Sequence, residues 1–285
     1  MLEFNPYLLV LITVIGLCVG SFVNVVIYRL PKQLQANWKK DARQILGIEH
    51  SDEENQEKVL SVAFPPSHCP HCDAAIRPWH NIPVVSYLIL QGRCSSCSAY
   101  ISVQYPLVEL GAAILFITIY LHFGISTQAL LGLVFAITLL LLTGIDFRTQ
   151  LLPDNMTLPL LWLGLLANTF GTFITLEDAV YGAVFGYLSL WGVYHIFKLL
   201  TGKEGMGYGD FKLLAAIGAW VGWQQLPFVI LLSSLLGAVI GIALILLLGR
   251  DRQIPIAFGP YLAMAGWVSF LWGEQISALY FHYLP

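Results

Sequence analysis

The sequence predicts an all-α polytopic membrane protein of about eight transmembrane helices, with a cysteine-bearing loop domain between helices 1 and 2. Three observations predict it. Of 285 residues, 57% are hydrophobic and only 11% charged, against about 25% charged in a typical soluble domain. Apolar runs long enough to approach the roughly 30 Å hydrocarbon core recur along the chain. All 14 Lys and Arg fall on one side of the topology those runs define. The net charge of −3 comes with no basic stripe, which excludes nucleic acid as a partner.

The runs cover residues 7–28, 105–121, 129–145, 156–173, 179–197, 211–221, 227–248 and 256–273. The sixth is the shortest. None shows the dyad alternation of a membrane barrel. Glu3 is the sole charge ahead of the first run, so that run lacks the basic n-region of a signal peptide and reads as a retained span. Gly16 with Gly20, and Gly182 with Gly186, have the small-xxx-small spacing of close helix contacts. Cys18, alone inside the first span, reads as a small buried side chain.

The cations give the orientation. Eight of them lie in the loop after span 1: Arg29, Lys32, Lys39, Lys40, Arg43, Lys58, Arg77 and Arg93. Arg148 follows span 3; Lys198, Lys203 and Lys212 surround the connection from span 5 to span 6; Arg250 and Arg252 follow span 7. Positive residues stay cytoplasmic, so the odd-to-even loops face the cytoplasm and both termini face the periplasm. Three regions follow: a first span over 1–28, a cytoplasmic loop domain over 29–104, and a seven-helix membrane domain over 105–285. The first half of the loop mixes both charge signs and reads as a solvated, partly helical or disordered insert, with no internal repeat evident in the chain.

Four of the five cysteines lie in this loop, Cys69 and Cys72 in "CPHC" and Cys94 and Cys97 in "CSSC". Two such pairs supply four soft ligands for tetrahedral Zn²⁺, in a compartment where disulfides are disfavoured. A redox pair or idle thiols are the competing readings. Four cysteines leave no open coordination position, so the metal staples a fold and performs no hydrolysis. His68, His71 and His80 read as surface or turn residues.

Acids at membrane depth are costly and point to function. Asp146 ends span 3 and Asp210 opens span 6, so the topology puts both at the cytoplasmic boundary, one on a helix leaving the membrane and one on a helix entering it. Paired carboxylates sharing a proton suit aspartyl proteolysis, and Gly207 and Gly209 keep bulk off the backbone where a substrate strand would approach. An aspartate before an apolar run is also an ordinary N-cap; Asp154 is read that way. The C-terminal end of its helix would favour the neutral acid at Asp146 and the N-terminal end the ionised base at Asp210. Glu109 lies early in span 2.

At this point the chain resembles the prepilin leader peptidases of type IV pilus and type II secretion systems, over nearly its whole length. The resemblance is carried by "GSFVNVVIYRLP" (20–31), the double CxxC, "NIPVVSYLILQGRC" (81–94), "YPLVE" (105–109), "IDFRTQLLPD" (145–154) and "GMGYGDFKLLAAIGAWVG" (205–222). It implies a GxGD-type aspartyl protease of the bacterial inner membrane with Asp146 and Asp210 as catalytic pair and the four cysteines as zinc ligands. Such enzymes remove a basic leader from prepilins and pseudopilins at the cytoplasmic face, then N-methylate the new terminus with S-adenosylmethionine. No Gly-rich nucleotide loop marks the cofactor site; Glu109 is the residue singled out for it, with a structural role equally open. Gln104 stands where the family carries arginine, which bears on methylation. The alternatives are a protease that has lost methylation and a non-enzymatic assembly factor with a zinc docking loop. A zinc hydrolase would need an open metal site, and a transporter would carry its acids at the midplane.

Overall fold

Asn5 starts the first helix: its side chain accepts from the amides of Tyr7 and Leu8 at 3.1 and 3.3 Å, which closes two of the orphan donors of α1 (Pro6–Leu46). In the computed structural model, which describes residues 5–47, 66–249 and 256–283, the chain forms two compact units, Met1–Leu121 and His122–Pro285. Residues 48–65 and 250–255, with Lys58, Arg250, Arg252 and the second half of the expected insert, lie outside the described residues.

In the first unit α1 passes well beyond the expected boundary at residue 28. Beyond Pro31 its sequence is rich in Leu, Gln, Ala, Lys and Arg, all strong helix formers, so the helix continues in polar sequence until Gly47 closes it in the left-handed conformation (φ 66°). The short helix α2 (Val85–Ile89) follows a 3-10 turn at Pro78–Asn81. Helix α3 (Gln104–Phe123) packs against α1. A Cβ on Gly16 would lie 2.8 Å from Ala113 Cα, and one on Gly20 would lie 2.6 Å from Glu109 Cα; both glycines are the close contacts their spacing suggested. Cys18 is exposed, contrary to expectation, because two residues of helical rotation carry it to the face opposite the glycines.

The second unit holds α4 (Thr127–Thr149), α5 (Asp154–Thr169), α6 (Leu176–Thr201), α7 (Tyr208–Val221), α8 (Leu226–Leu248) and α9 (Gly259–Tyr283). Helix α7 is its axis. From Asp210 to Val221 every residue except Lys212 is buried, against α5, α6 and α9. The α6–α7 contact is backbone on backbone: Gly182 meets the carbonyl of Gly218, and a Cβ on Gly186 would lie 2.7 Å from the carbonyl of Leu214. Trp220 fits over Gly164 and donates to Leu160 O at 2.9 Å. Buried Asn168 donates to Ala219 O and accepts from the amides of Phe173 and Ile174, which fixes the turn from α5 to α6.

A helix stands at each of the eight expected spans. By length and apolarity five qualify as membrane-crossing among the described residues: α1, α3, α4, α6, and α8 with the turn before it. Helix α5 has 16 residues and α7 has 14, about 24 and 21 Å at 1.5 Å per residue, short of the hydrocarbon thickness. A short helix surrounded by protein avoids exposing its ends to lipid, and α7 is so surrounded. No strand occurs among the described residues; two isolated antiparallel bridges lie in the cysteine loop.

Candidate active site

Asp146 occupies the last turn of α4 with its side chain buried at 5% exposure. Its carbonyl accepts from Gln150 N at 2.9 Å, and Gln150, in the left-handed region (φ 53°), ends the helix. Its carboxyl Oδ2 accepts from the amide of Gly259, the first residue of α9, at 3.0 Å. A Cβ on Gly259 would lie 2.7 Å from that oxygen and 3.2 Å from both methyls of Leu152. Only glycine lets the backbone approach so closely.

Asp210 lies in the first turn of α7, buried at 8% exposure. Gly207 is the N-cap, and the Asp210 amide donates to its carbonyl at 3.2 Å. Leu152 joins the two sides, because a Cβ on Gly209 would meet it at 2.8 Å while the same side chain lies against Gly259. The expectation that both glycines clear a path is thereby divided. Gly209 is glycine because Leu152 fills the space, whereas a Cβ on Gly207 would have no neighbour closer than Asp210 Oδ2 at 3.9 Å.

Two expectations need correction here. Asp154 is not a cap: Pro153 occupies the cap position of α5 without a side-chain hydrogen bond, and Asp154 is the first helical residue. Its carboxylate instead receives Lys212 Nζ on both oxygens at 2.7 Å, tying the start of α5 to the first turn of α7. A cation two residues past Asp210 competes better for that carboxylate than backbone amides do. Nor does the end of α4 alone set which carboxyl group holds the proton, since the N-terminus of α9 faces Asp146 through Gly259 and acts in the opposite sense.

In the first unit, Glu109 is buried within α3 and accepts from the Val84 amide at 2.8 Å. Val84 has φ 59° and ψ −48°, a conformation rarely open to a β-branched residue. Its neighbours Pro83 and Val85 close a tight turn around it. The carboxylate of Glu109 is therefore engaged by its own chain. Beside it, Asn24 donates to Tyr105 O at 3.0 Å, and Gln104 begins α3 with its amide on Ser102 Oγ.

The four cysteines converge. The Sγ atoms of Cys69, Cys72, Cys94 and Cys97 all lie within 4.8 Å of one another, with Cys69 and Cys97 at 3.8 Å. Four sulfurs placed about 2.3 Å from a tetrahedral centre stand about 3.8 Å apart, so the set fits Zn²⁺. The loop also contains a repeat that residue identities hide. Cys69 N donates to Ala74 O and Asp73 N to Cys69 O; Cys94 N donates to Ala99 O and Ser98 N to Cys94 O. Asp73 and Ser98 take the left-handed conformation, and the bridges His68–Ala75 and Arg93–Tyr100 close the two turns alike.

Gly259, Leu152 and Lys212 were not found by sequence reasoning. Lys212 carried a signal, as a cation inside the apolar start of the sixth run; Gly259 carried none that distinguishes it from other glycines of the apolar runs.

Comparison with known proteins divides the chain as its contacts do. Residues 14–123 match the bacterial peptidase A24 N-terminal domain and residues 133–242 the type IV leader peptidase family. A prepilin leader peptidase/N-methyltransferase of Pseudomonas aeruginosa is 55% identical over 280 residues, 98% of this chain and 96% of that protein. Those of Stutzerimonas stutzeri and Neisseria gonorrhoeae are 54% and 47% identical, over 98% and 95% of this chain and 96% and 93% of theirs. No solved structure matches the chain.

Proposed function

The chain belongs to the type IV leader peptidase family, and from that premise we propose that it is an inner-membrane aspartic endopeptidase that removes the leader from prepilins and pseudopilins and N-methylates the residue exposed. The observation that carries the protease reading is the burial of Asp146 and Asp210, at the end of one helix and the start of another, with Leu152 lying against both Gly259, which holds Asp146, and Gly209, the neighbour of Asp210 in the chain.

The chemistry is general acid–base catalysis by a carboxyl pair holding one proton. The ionised member takes a proton from water as its oxygen attacks the scissile carbonyl. The neutral member donates its proton to the carbonyl oxygen, giving a tetrahedral intermediate. As that collapses, the C–N bond breaks, the amine leaves with the proton that had been taken from water, and a hydroxyl of the intermediate returns a proton to the carboxylate that had given one up, which restores the pair. The Gly259 amide fixes one oxygen of Asp146, so the pair does not have to reorganise during the reaction. The open flank at Gly207 is the side from which the substrate backbone approaches. The cation distribution supports a cytoplasmic site with both termini periplasmic and eight spans. A basic leader then stays in the cytoplasm while the apolar segment after it lies in the bilayer.

Cys69, Cys72, Cys94 and Cys97 would hold Zn²⁺, which supplies a structural cross-link to the loop. Methyl transfer draws its support from the relatives' names, with S-adenosylmethionine as the methyl source. Glu109 is better supported as a bolt for the Val84 turn than as a cofactor ligand. The test incubates the purified protein in lipid with a prepilin, with and without S-adenosylmethionine, and reads intact mass. Leader loss in both arms and an added methyl group in one is expected. Leader loss without the methyl group would leave a protease alone; no mass change would overturn the proposal.

A further inference from the structure

The segment between the two cysteine turns presents its apolar side outward. Val85, Leu88 and Ile89 are exposed at the i, i+3, i+4 spacing of one helical face, and Ile82, just before the Val84 turn, is exposed as well. Leu88 is 67% and Ile89 75% exposed. The inward side is the more polar one: Ser86 Oγ donates to Ile82 O at 2.8 Å, and the Tyr87 ring lies over Gly92. A helix surrounded by water has the reverse arrangement.

A separate observation fixes the depth of this face. The Val84 amide, one residue before α2, donates to Glu109 at 2.8 Å. Glu109 lies five residues into α3, about 8 Å along its axis from Gln104, and its Cα touches Gly20 within the apolar run of α1. The start of α2 is therefore level with membrane-spanning parts of both helices. Its flanks have the matching chemistry. Between Asp73 and Glu109 the chain has no acidic residue, and its cations are Arg77 and Arg93. Arg77 lies over the ring of Trp79 and Arg93 over that of Tyr100, both rings exposed, a pairing suited to the headgroup layer.

We propose that residues 82–89 form an interfacial anchor, with Ile82, Val85, Leu88 and Ile89 among the acyl chains of phospholipids and Arg77 and Arg93 at the phosphate groups. The anchor holds the cysteine loop against the bilayer surface, and the Glu109–Val84 hydrogen bond sets its depth. The protease reading does not rest on this surface, so failure of the anchor leaves that reading untouched.

The experiment places a benzophenone amino acid at Ile89 of the full-length protein, reconstituted in vesicles of phosphatidylethanolamine and phosphatidylglycerol. Ser96, exposed at the tip of the second cysteine turn, carries the comparison probe. Retention of one zinc per chain certifies the loop fold in each variant. After irradiation, mass spectrometry is expected to find phospholipid adducts at Ile89 at least fivefold above those at Ser96. Lipid adducts at equal levels, or cross-links from Ile89 to a second chain or to another part of the same chain, would overturn the anchor. A Glu109→Ala variant is expected to reduce lipid adducts at Ile89 at least threefold with zinc retained; unchanged labelling would overturn the depth-setting role.

Discussion

Gly259 donates its backbone amide to Asp146 across 3.0 Å, joining the first residue of α9 to the last turn of α4. This bond joins the stretch 145–154 to a residue outside every stretch that carries the family resemblance, and it orients one of the two proposed catalytic groups.

Gly259→Ala is the direct probe of that contact. Its Cβ would stand 2.7 Å from Asp146 Oδ2 and 3.2 Å from Leu152, so the carboxyl group has to move. A displacement near 1 Å costs up to about 100-fold in rate. We expect leader release to fall by about 10- to 100-fold with helix content unchanged, measured by initial rates and circular dichroism.

The Asp154–Lys212 pair should act through position. Both partners are partly exposed, at 55% and 29%, and such pairs stabilise by only about 0.2–1 kcal/mol. Lys212→Met is therefore expected to change thermal stability little yet slow cleavage several-fold by loosening the first turn of α7. The exchanged pair Asp154→Lys with Lys212→Asp should recover part of the rate. A double-mutant cycle on rate and on stability separates the two effects.

Removal of the metal should spare the protease. Replacing Cys69 and Cys94 by serine is expected to abolish binding of one Zn²⁺ per chain and expose the loop to trypsin at Arg93. Leader release should stay within a few-fold of the parent, because the acid pair and its supports lie wholly in the second unit. Metal analysis, limited proteolysis and the cleavage assay check the three statements.

The α6–α7 seam sets the stability of the second unit. Gly182→Ala drives a methyl group into the Gly218 carbonyl, and backbone cannot turn aside as a side chain does. Overpacking of this kind costs about 1–3 kcal/mol, so the thermal midpoint should fall, whereas Gly192→Ala, with open space at its Cβ, should not lower it, since alanine is the better helix former.

Much of this protein is legible in its sequence because the membrane simplifies the reading. Helices at eight apolar runs follow from hydropathy, and the places of Asp146 in the last turn of one helix and Asp210 in the first turn of another follow from where those runs end and begin. The zinc-fitting set follows from cysteine spacing. The misreadings share a different physical cause. Asp154 looks like a cap until a cation from a distant helix reaches it, and Gly209 looks free until Leu152 fills its space. The end of α1 depends on helix propensity continuing in polar sequence, which hydropathy does not register. The outward apolar face of α2 is five residues long, too short for periodicity to reveal, and its surroundings come from a hydrogen bond to Glu109 in another helix.

The most direct measurement compares initial rates of leader release for the parent, Asp146→Asn, Asp210→Asn and the double variant, all in lipid and with matched zinc content. A pair acting as one unit gives grossly non-additive losses, so each single variant should fall by at least about 100-fold, to the level of the double. Parent-like cleavage by either single variant, or losses that multiply in the double, would contradict a shared two-aspartate site.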